Sequence, residues 1–173
     1  MSASFSWAQT VGAPGAEVRA DLGASGNLAN FKGVDTIGTS DYAAYPIPAG
    51  QNSYEMWLQG HFSGSFNTIS DLRFWMSTNF SNPTGLVVKG NTAQTLYQLP
   101  TNASSSIAQS TLGTSDPGTR NVSTSGSLTS SLVPHPTTSD AYTDYIVLQL
   151  QTLATAAAGD TSLATFSMSY IET

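Results

Sequence analysis

The chain has 173 residues, with 11 acidic and 5 basic side chains, a net charge of −6 and no cysteine. A domain of this length can bury a core without cross-links, and the missing cysteines exclude disulfides, thiolate catalysis and cysteine-based metal sites. The acidic balance gives nucleic acid no basic surface to bind. With no apolar run of about 18 residues and no signal-peptide core, we expect a soluble chain that has no leader and no membrane partner.

Serine, threonine and glycine are abundant, whereas only 9% of the residues are charged. Long straight-chain residues that favour helices are few, and clusters of aromatic and β-branched residues favour strands. Short uncharged side chains also lose little entropy when they are covered, so this surface suits a protein that packs permanently against neighbours.

The first 27 residues are rich in glycine, alanine and serine, with Phe5 and Trp7 as isolated aromatic anchors. We expect residues 1–27 to form a loosely attached N-terminal arm and residues 28–173 to form a single β-sandwich domain. Phe5 and Trp7 either tuck onto that domain or dock on a partner subunit. Both are therefore candidate interface residues.

Two central segments alternate between apolar and polar positions, which predicts half-buried strands. In SYEMWLQGHFSG, Trp57 and His61 lie on the face opposite the regularly spaced apolar residues. In ISDLRFWMSTNF, two sets of three residues share opposite faces: Leu72, Phe74 and Met76 on one, and Asp71, Arg73 and Trp75 on the other. We expect the first set to face the core.

The segments TGLVVKG and TLYQLP predict two shorter strands with a turn at Gly90 and Asn91. Residues 101–131 are dominated by serine and threonine, and we expect ordered loops there, with a brief helical turn in NASSSIAQS and a strand near RNVSTSG. The last two segments, YTDYIVLQLQTL and SLATFSMSYIE, predict a closing antiparallel hairpin.

Together these segments predict an all-β fold, an antiparallel β-sandwich with long Ser/Thr-rich loops and little helix. We expect it to be jelly-roll-like, with an immunoglobulin-like sandwich as the second choice.

The sequence offers little for catalysis. His61 and His135 are the only histidines, and neither accompanies a GxSxG elbow. Glu55 and Asp71 could face each other as a glycosidase pair, but a cross-strand ion pair with Arg73 explains them more simply. No histidine or aspartate spacing predicts a metal site. We therefore expect no enzyme activity, no catalytic or metal-binding residue and no cofactor.

Trp57 and Trp75 both lie on the polar-patterned faces of their strands. If loops or a second sheet cover that face, both side chains are core residues. If it is open, they form an aromatic platform for a sugar ring or a partner protein. They are the candidate ligand-platform residues of the chain.

The segment SDLRFWMSTNFSNPTGLVVKGNTAQTLYQLPTNASSSIA, residues 70–108, is similar to segments of structural proteins of tailed bacteriophages. The shared pattern is a strand ending in an aromatic residue, a glycine loop, a short strand, a Tyr-x-x-Pro step and a Ser/Ala-rich turn. It covers about a quarter of the chain and includes no catalytic or ligand signature.

This resemblance implies a virion protein, a head decoration or cement protein on the capsid surface. The implied partners are the major capsid protein and further copies of the chain, most often in a homotrimer. A carbohydrate- or receptor-binding β-sandwich of a phage tail or cell surface is the alternative function. No residue role carries over, because such proteins act through surfaces.

Overall fold

The computed structural model of the chain describes residues 3–23, 29–37, 43–64, 66, 68–80, 84–104, 106–124, 141–157 and 162–173. Within them the strands are β1 (Ala3–Val11), β2 (Val18–Asp21), β3 (Met56–Gly64), β4 (Ile69–Thr78), β5 (Leu86–Gln94), β6 (Ser110–Thr111), β7 (Ala141–Tyr142), β8 (Tyr145–Thr152) and β9 (Thr165–Glu172). These residues contain no α-helix.

The strands form two antiparallel sheets of unequal size. The larger sheet has the order β2-β1-β3-β8-β5-β6, with β7 paired beside β3. The smaller sheet consists of β4 and β9 alone. The prediction of an antiparallel all-β sandwich is confirmed, and the jelly-roll connectivity stays a prediction.

The main core lies between the two sheets and follows the alternation read from the sequence. Leu72, Phe74 and Met76 of β4 are buried there, as predicted, opposite the apolar positions of β3 and β8. Phe74 stacks on Phe166 of β9, with ring centroids 5.9 Å apart and planes 7° from parallel. Because the side-chain period of a strand is two, each strand commits one face to this core.

The outer face of the larger sheet is also covered over part of its area. Residues 97–108 cross it and form a second apolar cluster around Trp57 and Val147, to which Tyr97, Ile107 and Tyr145 contribute. β3 is therefore buried on both faces, and the alternation in its sequence does not separate core from solvent.

The N-terminal segment is more firmly integrated than the loosely attached arm expected over residues 1–27. β1 is an interior strand, paired with β3 over eight residues and with β2 on its other side. Phe5 and Trp7 point toward the main core and pack against it. The alternation of serine and aromatic residues in SFSW is typical of a strand. It was overlooked because the surrounding segment is rich in glycine and alanine.

Three further expectations are wrong. Gly90 and Asn91 lie inside a single strand, β5, and residues 95–100 form no strand. A Cβ at Gly90 would stand 3.3 Å from both Leu112 Cδ1 and Leu148 Cδ2, so packing explains this glycine. The last two strands form no hairpin, since β8 belongs to the larger sheet and β9 to the smaller one. Residues 120–124 of RNVSTSG are not a strand either.

Candidate functional site

Trp57 is a core residue. The sequence left two alternatives for it, a core position or an exposed aromatic platform, and the structure shows the first. Its side chain is 0% exposed. Its ring packs edge-on against Tyr97 and Tyr145, with centroid distances of 5.0 and 5.4 Å. Its indole Nε1 donates a hydrogen bond to Glu55 Oε2 at 3.1 Å. A fully buried side chain has no surface that a ligand could contact.

Glu55 is a buried structural anchor. Besides the Trp57 indole, its carboxylate accepts hydrogen bonds from Ser106 Oγ at 2.6 Å, from the Ile107 backbone N–H at 3.1 Å and from the Thr101 backbone N–H at 3.3 Å. Four donors fill the oxygens of one carboxylate, so hydrogen bonds from neutral groups stabilise its buried side chain. Glu55 fastens residues 101–107 to the larger sheet and does not form the pair with Asp71.

Burial changes the acid–base behaviour of the side chains beside this anchor. Burial raises the pKa of the Tyr97 phenol, with the nearby Asp35 carboxylate as a further cause, and burial also raises the pKa of Tyr145. The Tyr97 hydroxyl donates to the Gly12 carbonyl at 2.7 Å. Burial raises the pKa of Asp35 as well, against the opposing effect of a 2.7 Å hydrogen bond from Gly12 N–H.

A serine, a histidine and an aspartate meet on the outer face near β2. Ser6 Oγ lies 3.2 Å from His61 Nδ1, and both Asp21 carboxylate oxygens lie 3.1 Å from the same nitrogen. A proton relay needs the hydroxyl and the carboxylate on different ring nitrogens, so this geometry is not that of a catalytic triad. The His61 ring stacks on Tyr142, with 4.3 Å between centroids.

The remaining polar-face residues of β4, Asp71 and Arg73, form a half-buried ion cluster at a bulge. Asp71 has a positive φ of 50°, and the pairing of β4 with β9 shifts register between Ser70 and Arg73. The Arg73 guanidinium bonds Asp71 at 2.8 Å and Asp116 at 3.1 Å. Arg73 thus pairs with its own strand and with the 113–121 loop. The expected cross-strand ion pair with Glu55 is wrong: Arg73 pairs with Asp71 and Asp116, and the carboxylate of Glu55 is held by neutral donors.

Trp75 is half-buried and lines an open cleft of about 460 Å³ on the side of the sandwich. The cleft lies between β4, β5 and the loop that runs through β6, and half of its lining residues carry amide or hydroxyl side chains: Asn91, Thr92, Gln109, Ser110, Thr111, Ser115 and Asn121. None of the described residues that line it is charged. Of the four predicted platform and interface residues, Trp75 lines this cleft, and Phe5, Trp7 and Trp57 do not.

The smaller sheet leaves part of the larger one incompletely covered. Phe5 and Trp7 on β1 and Leu22 after β2 point to the core side but are only half-buried. Val18 pairs with Val11 at the end of β2 and is 59% exposed. On β9 the core-facing side chains are likewise only half-buried: Phe166, Met168 and Tyr170.

The free edges of the described sheets are protected in different ways. Two residues close the outer edge of β4. The Asn121 side chain accepts a hydrogen bond from Phe74 N–H and donates one to Phe74 C=O, both at 2.8 Å. The Gly113 carbonyl accepts a hydrogen bond from Met76 N–H. β6 has two residues, and β2 has four, including Arg19 and Asp21. A closed edge, a short strand and charged side chains each make it less favourable for a strand of another chain to pair there.

Among the described residues the outer edge of β9 lacks this closure, and the charged residue of the strand is Glu172 at its end. In the part of the chain that the structure describes, its backbone pairs only with β4. The strand is eight residues long, and Thr165 to Ile171 contain no charge, proline or glycine. An unpaired edge of this kind is a ready template for an added strand.

His135, the second candidate base, lies outside the described residues. Within the described ranges, no three histidine, aspartate or glutamate side chains group together closely enough to hold a metal ion. None of these ranges contains a helix that is long and apolar enough to cross a membrane. No protein-family model, curated protein or solved structure matches the chain.

Proposed function

We propose that the chain is a structural protein of a virion, a decoration or cement protein that stabilises the capsid of a tailed bacteriophage through surface contacts. The resemblance of residues 70–108 to phage structural proteins supplies the class of particle. The jelly-roll connectivity, the major capsid protein as partner, the homotrimer and the place on the capsid surface are parts of the same proposal. In this proposal the chain catalyses no reaction and acts through its surface contacts.

The observation that carries this proposal is the unprotected edge of β9. A sheet of two strands is marginal by itself, and here it borders half-buried Phe5, Trp7 and Tyr170 on the face that it incompletely covers. A neighbouring protein that adds a strand to β9 would satisfy its free backbone groups and cover these apolar side chains. A protein that lives in a permanent assembly can keep such an edge, whereas a free monomer is at risk of aggregation.

The test starts from particles purified from the cells that naturally make the chain. Immunogold labelling in negative stain should decorate their heads, and purified protein should co-sediment with heads from which it has been stripped. Absence of the chain from the particles, or a stable monomer that does not sediment with stripped heads, would overturn the proposal.

A charge substitution tests the part played by β9. Thr165→Lys places a cation at an exposed position of β9 and should reduce head binding by at least tenfold, because lysine on an edge discourages strand addition. Thr78→Lys is the matched control, since it makes the same change at the exposed residue of β4 that pairs with Thr165, on the strand whose edge Asn121 and Gly113 close. Equal binding by both variants would exclude β9 as the contact.

The alternative function, a carbohydrate- or receptor-binding module, is supported by a different observation, the uncharged cleft beside Trp75.

A further inference from the structure

The cleft beside Trp75 contains hydrogen-bonding groups that the fold leaves unused. The chain has three tryptophans, and two of them pack against aromatic rings, Trp7 against Phe5 and Phe74 and Trp57 against Tyr97 and Tyr145. In the described part of the chain, Trp75 has neither an aromatic neighbour nor a hydrogen bond from its indole Nε1. Its ring is held on a strand, yet no packing contact explains why it is a tryptophan.

The cleft wall opposite β4 adds further unused groups. Asn91 accepts from Ala93 N–H through Oδ1, and its Nδ2 has no partner among the described residues. Gln109 uses Nε2 for a long 3.5 Å contact to Ser104 and leaves Oε1 free of described contacts. The hydroxyls of Ser110 and Ser115 likewise take part in no described hydrogen bond. An unused donor, an unused acceptor and two free hydroxyls thus line the same cleft as the Trp75 indole.

The charge and polarity of the lining narrow the class of ligand. An anionic or cationic ligand would have to give up its hydration without meeting an opposite charge, because none of the described lining residues is charged. A purely apolar ligand would cover the amides and hydroxyls and leave them unsatisfied. A nucleobase could stack on the indole, but a nucleic acid would be repelled by a net charge of −6, and Lys89, the cation beside the lining, already donates to Thr111 Oγ1 at 2.9 Å. A neutral ligand with many hydroxyls meets neither obstacle.

We propose that this cleft is a binding site for an uncharged saccharide. The apolar C–H face of one sugar ring lies against the Trp75 indole, and the ring hydroxyls exchange hydrogen bonds with Asn91, Gln109 and the two serines. The cleft volume of about 460 Å³ is within the roughly 300–1,000 Å³ range of small-ligand sites. Binding involves no bond making or breaking.

This site is independent of the assembly proposed above. It lies on the side of the sandwich where residues 113–121 close β4, whereas the proposed assembly contact lies at β9 on the opposite edge of the smaller sheet. The isolated protein can therefore be tested for saccharide binding without heads, and the two proposals can fail separately.

The experiment is a glycan array, on which wild-type protein should bind neutral glycans and ignore sialylated and sulfated ones. The neutral oligosaccharide with the strongest signal is then titrated calorimetrically. Trp75→Ala should weaken its affinity by at least tenfold, Trp75→Phe by less, and Asn91→Ala by several-fold. Tyr45→Ala is the matched control, because it truncates an aromatic side chain that is 40% exposed and absent from the cleft lining; its affinity should stay within twofold of wild type.

Far-ultraviolet circular dichroism and thermal melting show whether each variant is folded. If Trp75→Ala does not fold, Asn91→Ala and Gln109→Ala test the site from the other wall. The proposal is overturned if no neutral glycan binds, if the cleft variants bind as wild type, or if a sulfated glycan or a single-stranded oligonucleotide binds more tightly than every neutral glycan.

Discussion

Replacing Glu55 with glutamine tests whether one buried carboxylate holds the 101–107 segment on the larger sheet. The substitution keeps the shape of the side chain and changes one oxygen to an NH₂ group. Because the carboxylate has donors on both oxygens, an amide can still accept from one pair. Its NH₂ group must then face the other pair, which is either Trp57 Nε1 with Thr101 N–H or Ser106 Oγ with Ile107 N–H.

The expected cost follows from these contacts. Two hydrogen bonds to a charged acceptor are lost, each worth roughly 1.5 to 3 kcal/mol, so the Glu55→Gln variant should lose about 3 to 6 kcal/mol of unfolding free energy. Folded domains have about 5–15 kcal/mol in total, and each kcal/mol corresponds to roughly 2–4 °C in Tm at this size. We therefore expect Tm to fall by roughly 6–24 °C.

Chemical denaturation with urea, followed by tryptophan fluorescence, measures this difference, because Trp57 lies in the affected cluster. Glu17→Gln is the matched control: it makes the same chemical change at an exposed carboxylate and should stay within about 0.5 kcal/mol of wild type. A Glu55→Gln variant within 1 kcal/mol of wild type would refute the reasoning, since the two lost hydrogen bonds would then contribute almost nothing to stability.

Three further predictions concern single contacts. Asn121→Ala removes both hydrogen bonds to the Phe74 backbone, so it should cost about 2 kcal/mol and speed amide exchange at Phe74, and unchanged exchange would contradict the role of Asn121 in closing β4. Burial raises the pKa of Asp35 in the folded protein above its ordinary value of 3.8. The contribution of Asp35 to folding stability is therefore fully present below pH 3.8 and is lost as pH rises through the raised pKa. In urea titrations, the stability of wild type relative to Asp35→Asn should decrease across that pH window. Because the pKa of Tyr97 is also raised, wild-type stability should fall as pH rises above 10, and Tyr97→Phe should show a shallower fall; equal slopes would contradict this assignment.

Side-chain alternation was enough to predict the core face of β4 and the antiparallel sandwich. Leu72, Phe74 and Met76 recur with the strand period, and no other structure buries that pattern so simply. The same alternation misjudged β3, because residues 97–108 bury its second face as well. A sequence pattern reports the polarity of a face, and Trp57 shows that loops far along the chain decide whether that face meets water.

The candidate sites were predictable only in part, for a related reason. Trp75 was predicted as a candidate platform residue, and it lines the cleft, but the cleft also needs Asn91 and Gln109 from other elements, and no spacing links them to it. The partners of Glu55 include backbone N–H groups of Thr101 and Ile107, which any residue type could supply. The open edge of β9 depends on which strand pairs with which, and local sequence does not encode that choice.

The pairing of β4 with β9 also orders the events of folding. Ile69 pairs with Glu172, roughly 100 residues later along the chain, so the contact is among the slowest kinds to form. During synthesis, Leu72, Phe74 and Met76 emerge long before the strand that completes their sheet. A ribosome-bound chain that stops before Thr165 should therefore expose these side chains and require protection by a chaperone, and release of β9 is the step that closes the sandwich.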